Sequence, residues 1–300
     1  MKKILLSFLL LQSSGGVIAN TNADTEDWIV DGVFTQGIEG PAVDSAGVLY
    51  AVNYQQQGSI GKVTAKGQVE TLLTFKNGSI GNGIRFDKEG NMYIADYINH
   101  NILKVTSSAL KQGGDLSEFV SVFAHHDGMN QPNDLAIMDN GILFASDPNW
   151  QASSGNLWRI NTTGEVTLLE AGMGTTNGIE VSPDNKTLYV NESVQRKVWR
   201  YDIDEQGDIS NKKLLITFND FGLDGMRADN QGNLYIARYG AGVIAVVSPE
   251  GELLKEIKLT GKHPTNVAFG GNNGKRLFIT MQKRGAIEMV EVEFAGRGRY

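Results

Sequence analysis

The sequence predicts an all-β fold, a six-bladed β-propeller with four-stranded blades around a central channel, and three observations predict it. Six segments open with a polar residue, continue with small or turn-tolerant ones and run on through alternating apolar positions: Glu39-Gly40-Pro41, Asn82-Gly83-Ile84, Asn133-Asp134-Leu135, Asn177-Gly178-Ile179, Asp224-Gly225-Met226 and Thr265-Asn266-Val267. Their first residues lie 43, 51, 44, 47 and 41 positions apart, a period that suits propeller blades. Each segment leads through a turn rich in Gly, Asn and Asp, such as Asp87-Lys88-Glu89-Gly90 or Asp229-Asn230-Gln231-Gly232, into a second apolar strand, as tight hairpins require.

In chain order, residues 1–19 read as a secretory signal peptide: Met1-Lys2-Lys3 is a positive start, Ile4 to Leu11 is apolar apart from Ser7, and cleavage is expected after Ala19, with Ala23 the second choice. The run is well short of the roughly 20 residues that span a bilayer, so an anchor is disfavoured. Residues 24–300 then form one propeller domain, since no linker or charge block interrupts the repeat. Within it the second strands are Val48–Val52, Met92–Ala95, Ile142–Ala145, Thr187–Val190, Leu234–Ala237 and Leu277–Thr280. Third strands such as Ile102–Val105, Leu157–Ile160 and Val198–Tyr201 follow, and fourth strands such as Glu165–Leu169 complete most blades. After residue 265 only about three strands remain. The stretch from Trp28-Ile29-Val30 to Val33-Phe34 is therefore expected to supply the outer strand of the last blade and close the ring. No segment after the signal shows sustained helical periodicity.

Composition narrows the function. The 300 residues are 41% hydrophobic with a formal charge of −7, and removing Lys2 and Lys3 takes that to −9, which disfavours nucleic acid as a partner. No cysteine is present, so disulfides, thiolate chemistry and a bacterial lipid anchor are excluded. The expectation is a periplasmic or secreted monomer with no membrane association after signal cleavage.

If the six segments are equivalent inner strands, Glu39, Asn82, Asn133, Asn177, Asp224 and Thr265 face one another across the axis. Two carboxylates and three amides then share a small oxygen-rich space that suits a hard divalent cation, Ca2+ first, with Glu39, Asn133, Asn177 and Asp224 as its ligands. Channels lined in this way also hold ordered water alone, and the residues leave both open. None of the four histidines is axial, which disfavours a zinc cage. The loops from second to third strand surround the same entrance and offer Tyr54, Tyr97, His100, Trp150, Glu192, Arg238 and Tyr239 to its rim. Asp147 to Gly155, the longest of them, is expected to carry a lid.

Glu39-Gly40-Pro41, Pro132-Asn133-Asp134, Thr176-Asn177-Gly178, Leu223-Asp224-Gly225-Met226 with Gly232-Asn233-Leu234-Tyr235-Ile236-Ala237, and Ala268-Phe269-Gly270-Gly271 with Leu277-Phe278-Ile279-Thr280 resemble the regucalcin/gluconolactonase/luciferin-regenerating-enzyme family in order over residues 39–280. The resemblance implies a six-bladed propeller with a divalent ion, usually calcium, in its channel, and hydrolysis of lactones or organophosphates. It matches Glu39, Asn177 and Asp224 to the family's metal ligands. It matches Asn133 to an amide that contacts metal-bound water or substrate, and that is a direct ligand in the related diisopropylfluorophosphatases.

The expected activity is calcium-dependent hydrolysis of a small-molecule lactone, gluconolactonase-like, or of a similar ester. The metal would polarise the carbonyl. Asp224 would serve as general base or nucleophile, or a metal-activated water would replace it, and Asn133 and Asn177 would orient the reactants. Asn82, Tyr97, Trp150, Arg238 and Thr265 are the expected substrate contacts. Asp87 to Asp96 followed by Asn101 to Val105 looks like an NHL repeat. The alternative is thus a non-catalytic exported NHL-like binding propeller that keeps a structural metal.

Overall fold

The computed structural model describes residues 23–298, and the signal segment expected over residues 1–19 lies outside the described residues. Twenty-four strands make six four-stranded antiparallel sheets. The first is β2 (Phe34–Val43), β3 (Leu49–Tyr54), β4 (Ser59–Ala65) and β5 (Gln68–Thr74), in that order from the axis outward. The next four repeat the meander: β6 (Gly81–Phe86) to β9 (Ser121–His125), β10 (Leu135–Ile137) to β13 (Val166–Met173), β14 (Thr176–Val181) to β17 (Ile209–Thr217), and β18 (Met226–Ala228) to β21 (Leu253–Lys258). The sixth joins β22 (Pro264–Gly270), β23 (Arg276–Met281) and β24 (Ala286–Glu291) to β1 (Glu26–Ile29).

That last pairing closes the ring. Strand β1 runs antiparallel to β24 with Glu26 opposite Met289 and Ile29 opposite Ile287. Arg284 fastens the seam, its guanidinium bonding Asp27 at 2.8 Å and Glu288 at 2.7 Å. The closing strand is shorter than the sequence suggests: Phe34 already belongs to β2 of the first blade, where its ring packs edge-on against Tyr54.

The core lies between blades. Six apolar clusters fill the six interfaces, for example Val52, Ile60, Leu73, Ile84, Ile94 and Leu103 between the first and second blades. This is why the inner and second strands read as continuous apolar runs: both faces of each sheet are covered. Trp158 belongs to one such interface and donates its Nε1–H to Asp147 at 2.8 Å.

Around the axis the inner strands come into backbone contact. The Gly225 N–H donates to Thr265 O at 2.7 Å, and Gly83 N–H to Asn133 O at 2.8 Å, each binding one blade to the next. The Thr265 hydroxyl donates to Ile38 O at 3.1 Å and so joins the last blade to the first. A Cβ on Gly225 would stand 1.9 Å from the Asn266 side chain, which explains the polar-then-glycine pattern by close approach.

Two expectations change. A six-residue helix, α1 (Ser107–Gln112), and a 3-10 turn at Ser117–Phe119 stand between β8 (Asn101–Val105) and β9, and they account for the longest repeat spacing. The helix is too short to show periodicity, but its ends were written locally: the Thr106 hydroxyl accepts from Ala109 N–H, and Gly113 ends it at a φ of 70°. The lid expected over Asp147 to Gly155 is absorbed into strand pairing. Pro148 faces Gly155 and Asn149 faces Ser154 between β11 (Leu143–Asn149) and β12 (Ser154–Ile160), which leaves a four-residue turn at 150–153.

Candidate functional site

The polar first residues of the inner strands meet at one end of the channel, in a cavity of about 480 Å3. Glu39, Asn133, Asn177 and Asp224 all line it, as do Asn82 and Thr265. Asn82, Asn177 and Thr265 are each the second residue of an inner strand, Asn133 and Asp224 stand two residues before β10 and β18, and Glu39 lies within β2, while neighbouring inner strands touch through the backbone bonds above. Tyr97, Trp150 and Tyr239 form part of the wall, with Trp150 the exposed one at 45%.

The four candidate ligands are electrically unsettled. Burial raises Glu39 first and the charge of Asp134 second, to a pKa of about 7, against the opposing Gly40 N–H that its carboxylate accepts from. Burial and then the charge of Glu39 push Asp224 well above the usual carboxylate range, although an Asn177 hydrogen bond pulls the other way. The Asn133 and Asn177 side-chain oxygens are both buried and accept no hydrogen bond. Orphaned buried acceptors are rare in folded proteins and ask for an explanation. Two unpartnered carbonyl oxygens beside two crowded carboxylates form an all-oxygen donor set of total charge −2, and a calcium-sized divalent cation satisfies it. Among the described residues no three or more His, Cys, Asp or Glu side chains are placed to hold a metal ion by themselves, so a cation here depends on the amides.

Thr265 lines the cavity with its hydroxyl already engaged, 2.7 Å from Thr280 Oγ1 and bonded to Ile38 O. Asn82 donates its side-chain N–H to Asn133 O at 3.0 Å, which steadies the strand that carries Asn133. Arg238 is not among the lining residues. Its guanidinium lies 3.9 Å over the Phe218 ring and donates to the carbonyl and carboxylate of Asp220, both at 2.7 Å. A cation so paired and stacked is held in the blade, and Arg238 is withdrawn from the substrate contacts. Glu192 is likewise occupied, accepting from Gly174 N–H at 2.8 Å.

Sequence reasoning missed the amides of the wall, Gln36, Gln57, Gln131 and Gln282. Gln57 and Gln282 sit in loops from second to third strand, so their position was a signal. Gln36 and Gln131 precede the inner-strand polar residues by two or three positions and carried none. Gln282 is fixed by accepting from the Tyr239 hydroxyl at 2.6 Å, and His263 packs edge-on against the same tyrosine. Beneath the ligand cluster lies a second unforeseen group, with fully buried Asp134 between Arg85 and Arg227, each 3.1 Å away. Burial pushes Asp134 up, but the two guanidinium groups outweigh it and hold the carboxyl below its usual range.

Comparison with known proteins agrees with this architecture. The model of the SMP-30/Gluconolactonase/LRE-like region matches residues 38–283. A gluconolactonase of Zymomonas mobilis is 28% identical over 220 residues, 66% of this chain, and the chain spans 60% of that protein's length. A diisopropyl-fluorophosphatase of Loligo vulgaris is 25% identical over 308 residues, covering 91% of this chain and 96% of its own. Among solved structures, a calcium-binding regucalcin of Agrobacterium tumefaciens superposes with a TM-score of 0.77 over 92% of this chain and 96% of that one, at 20% identity, a likeness of fold. With one family model spanning residues 38–283, from the first blade into the last, the chain belongs to the SMP-30/gluconolactonase/LRE-like family.

Proposed function

We propose that this protein hydrolyses a lactone, or an ester of similar shape, with a divalent cation, calcium first, held by Glu39, Asn133, Asn177 and Asp224. The observation that carries the reading is the pair of buried, unpartnered amide oxygens beside two carboxylates that repel each other. The gluconolactonase and fluorophosphatase relatives support hydrolysis as the reaction class. When bound, the cation supplies a Lewis acid for the substrate carbonyl and neutralises the two carboxylates.

The chain's own residues supply the rest. Asn133 and Asn177 turn their carbonyl oxygens inward, and Asn177 hydrogen-bonds Asp224 and so fixes that carboxylate. Asp224 accepts the proton of the attacking water on a carboxylate oxygen. Without a cation, burial and the charge of Glu39 raise its proton affinity; with one bound that affinity would be lower, and Asp224 would be a weaker base than its burial alone suggests. Tyr97, Trp150 and Tyr239 hold the substrate and exclude bulk water.

The test is turnover of a lactone panel that includes gluconolactone, with and without chelator, by the parent, Asp224→Asn and Glu39→Gln. The expected result is loss of turnover on chelation, recovery with calcium and at least a hundredfold loss in Asp224→Asn. Full activity in either variant overturns the mechanism, and calcium-dependent melting without hydrolysis of any lactone, ester or phosphotriester would favour a binding propeller.

A further inference from the structure

The other end of the channel holds a second, smaller chamber of about 100 Å3, made by the downstream halves of the same inner strands. Arg85 and Arg227 stand three residues beyond Asn82 and Asp224, so the chamber is displaced by roughly 10 Å along the strands. Phe86, Ile137 and Phe269 give it apolar walls, and Arg297 reaches it from the C-terminal segment. The charged side chains that line it are three arginines and one carboxylate, Glu180. Asp134 pairs with Arg85 and Arg227, and Arg297 reaches Glu180 at 3.6 Å and Asp139 at 3.5 Å, which leaves one nitrogen of Arg227 with no acceptor.

The hydrogen bonds locate the unmet donor. Arg85 donates to Asp134 and to Ile179 O, both at 3.1 Å. Arg297 donates to Ser182 O and to Asn185 Oδ1, both at 3.0 Å, and to Asp139 at 3.5 Å. Arg227 donates through one nitrogen, Nη1, to Met226 O at 2.7 Å and to Asp134 and Asn266 at 3.1 Å. Its Nη2 is buried and has no acceptor, in a residue only 8% exposed. Burial, and then the charge of Arg227, press the Arg85 guanidinium down to about 10. An unpaired guanidinium N–H in a half-apolar chamber is costly. An oxyanion supplies the missing acceptor, and guanidinium groups match its geometry through paired N–H donors.

We propose that this rear chamber is a binding site for a small oxyanion, of the size of sulfate, phosphate or acetate, seated on Arg227 with Arg85 and Arg297 beside it. The anion would tie the C-terminal segment to the inner strands through Arg297, whose backbone N–H already bonds Ala228 O at 2.9 Å.

The experiment uses the whole protein with sodium sulfate as the probe, at an ionic strength fixed with HEPES, which is too large for the chamber. The expected result is a saturable rise in melting temperature with half-saturation at millimolar sulfate, and a half-saturation at least tenfold higher in Arg297→Gln. Arg227→Gln should lose the response but puts Asp134 at risk of an unpaired burial, so Arg297→Gln keeps the test decisive. Crystals soaked in sodium selenate, the anomalously scattering analogue of sulfate, should show an anomalous peak beside Arg227. Sulfate also stabilises proteins generally, without saturating. A rise that stays linear and equal in parent and Arg297→Gln overturns the proposal, as does a selenate soak with no peak in the chamber.

Discussion

Glu39 and Asp224 bind protons more tightly in the folded protein than in the unfolded chain, and the direction of the shift fixes how stability follows pH. For Glu39 the ordinary value is 4.5 and the folded value about 7, so between these the native state holds the extra proton and stability falls as pH rises. Without metal, the melting temperature should therefore drop from pH 4.5 to 7, on the order of 5 °C, and saturating calcium should flatten the curve. Glu39→Gln should melt higher than the parent in chelator at pH 7 and gain less from calcium. Differential scanning calorimetry across that range checks both. Asp134 behaves in the opposite sense, because its depressed carboxyl adds stability above the ordinary aspartate value that is lost as pH falls through the folded one. Asp134→Asn strands Arg85 and Arg227 and should cost about 3 kcal/mol in urea unfolding. At this scale the candidate ligand residues were legible because each repeats a position in a periodic pattern. Arg238 was misread although its loop position was right: Phe218 and Asp220, which hold it, belong to a segment some twenty residues upstream that no local pattern links to it.

The elements depend on two kinds of junction, one inside the ring and one at its seam. Inside, Gly225 has no room for a methyl group against Asn266. Gly225→Ala should displace the inner strand of the fifth blade, with a loss of about 3 kcal/mol and weaker calcium binding by titration calorimetry, since Asp224 is its neighbour. At the seam, β1 contributes Ile29, which is fully buried. Ile29→Ala should cost about 3 kcal/mol, and removing residues 24–36 should prevent cooperative unfolding altogether, because the sixth blade loses its outer strand and the first blade loses the start of β2. A truncated protein that melts like the parent would show that the seam contributes nothing. The need for a closing strand was readable from the three-strand shortfall after residue 265. Its limits were not, because Val33-Phe34 is as apolar as Trp28-Ile29 and only the register against β24 and β3 separates them.

Across the whole molecule, all six blades line the cavity and the four candidate cation ligands come from the first, third, fourth and fifth, so a cation there would act on the ring and not on one sheet. Calcium at a hundredfold excess over its dissociation constant should add about 2.7 kcal/mol, or roughly 5 °C, and chelation should remove it in a single transition. Blade number, strand order and the polar column were legible because they are periodic. The arginine and aspartate group below the column was not, since Arg85, Asp134 and Arg227 are scattered through three repeats and pair only once the ring has closed.

The pairing of Glu26–Ile29 with Ala286–Glu291 has a consequence for synthesis. A growing chain presents β1 first and its partner last, so the early strand waits with an unpaired edge while five blades are made. Glu39, Asn133, Asn177 and Asp224 all precede β22, so every proposed cation ligand has been translated before the clasp exists. Ring closure then waits for β24, and a ribosome stalled after β21 would display a curved, open array whose two free edges invite pairing with another nascent chain.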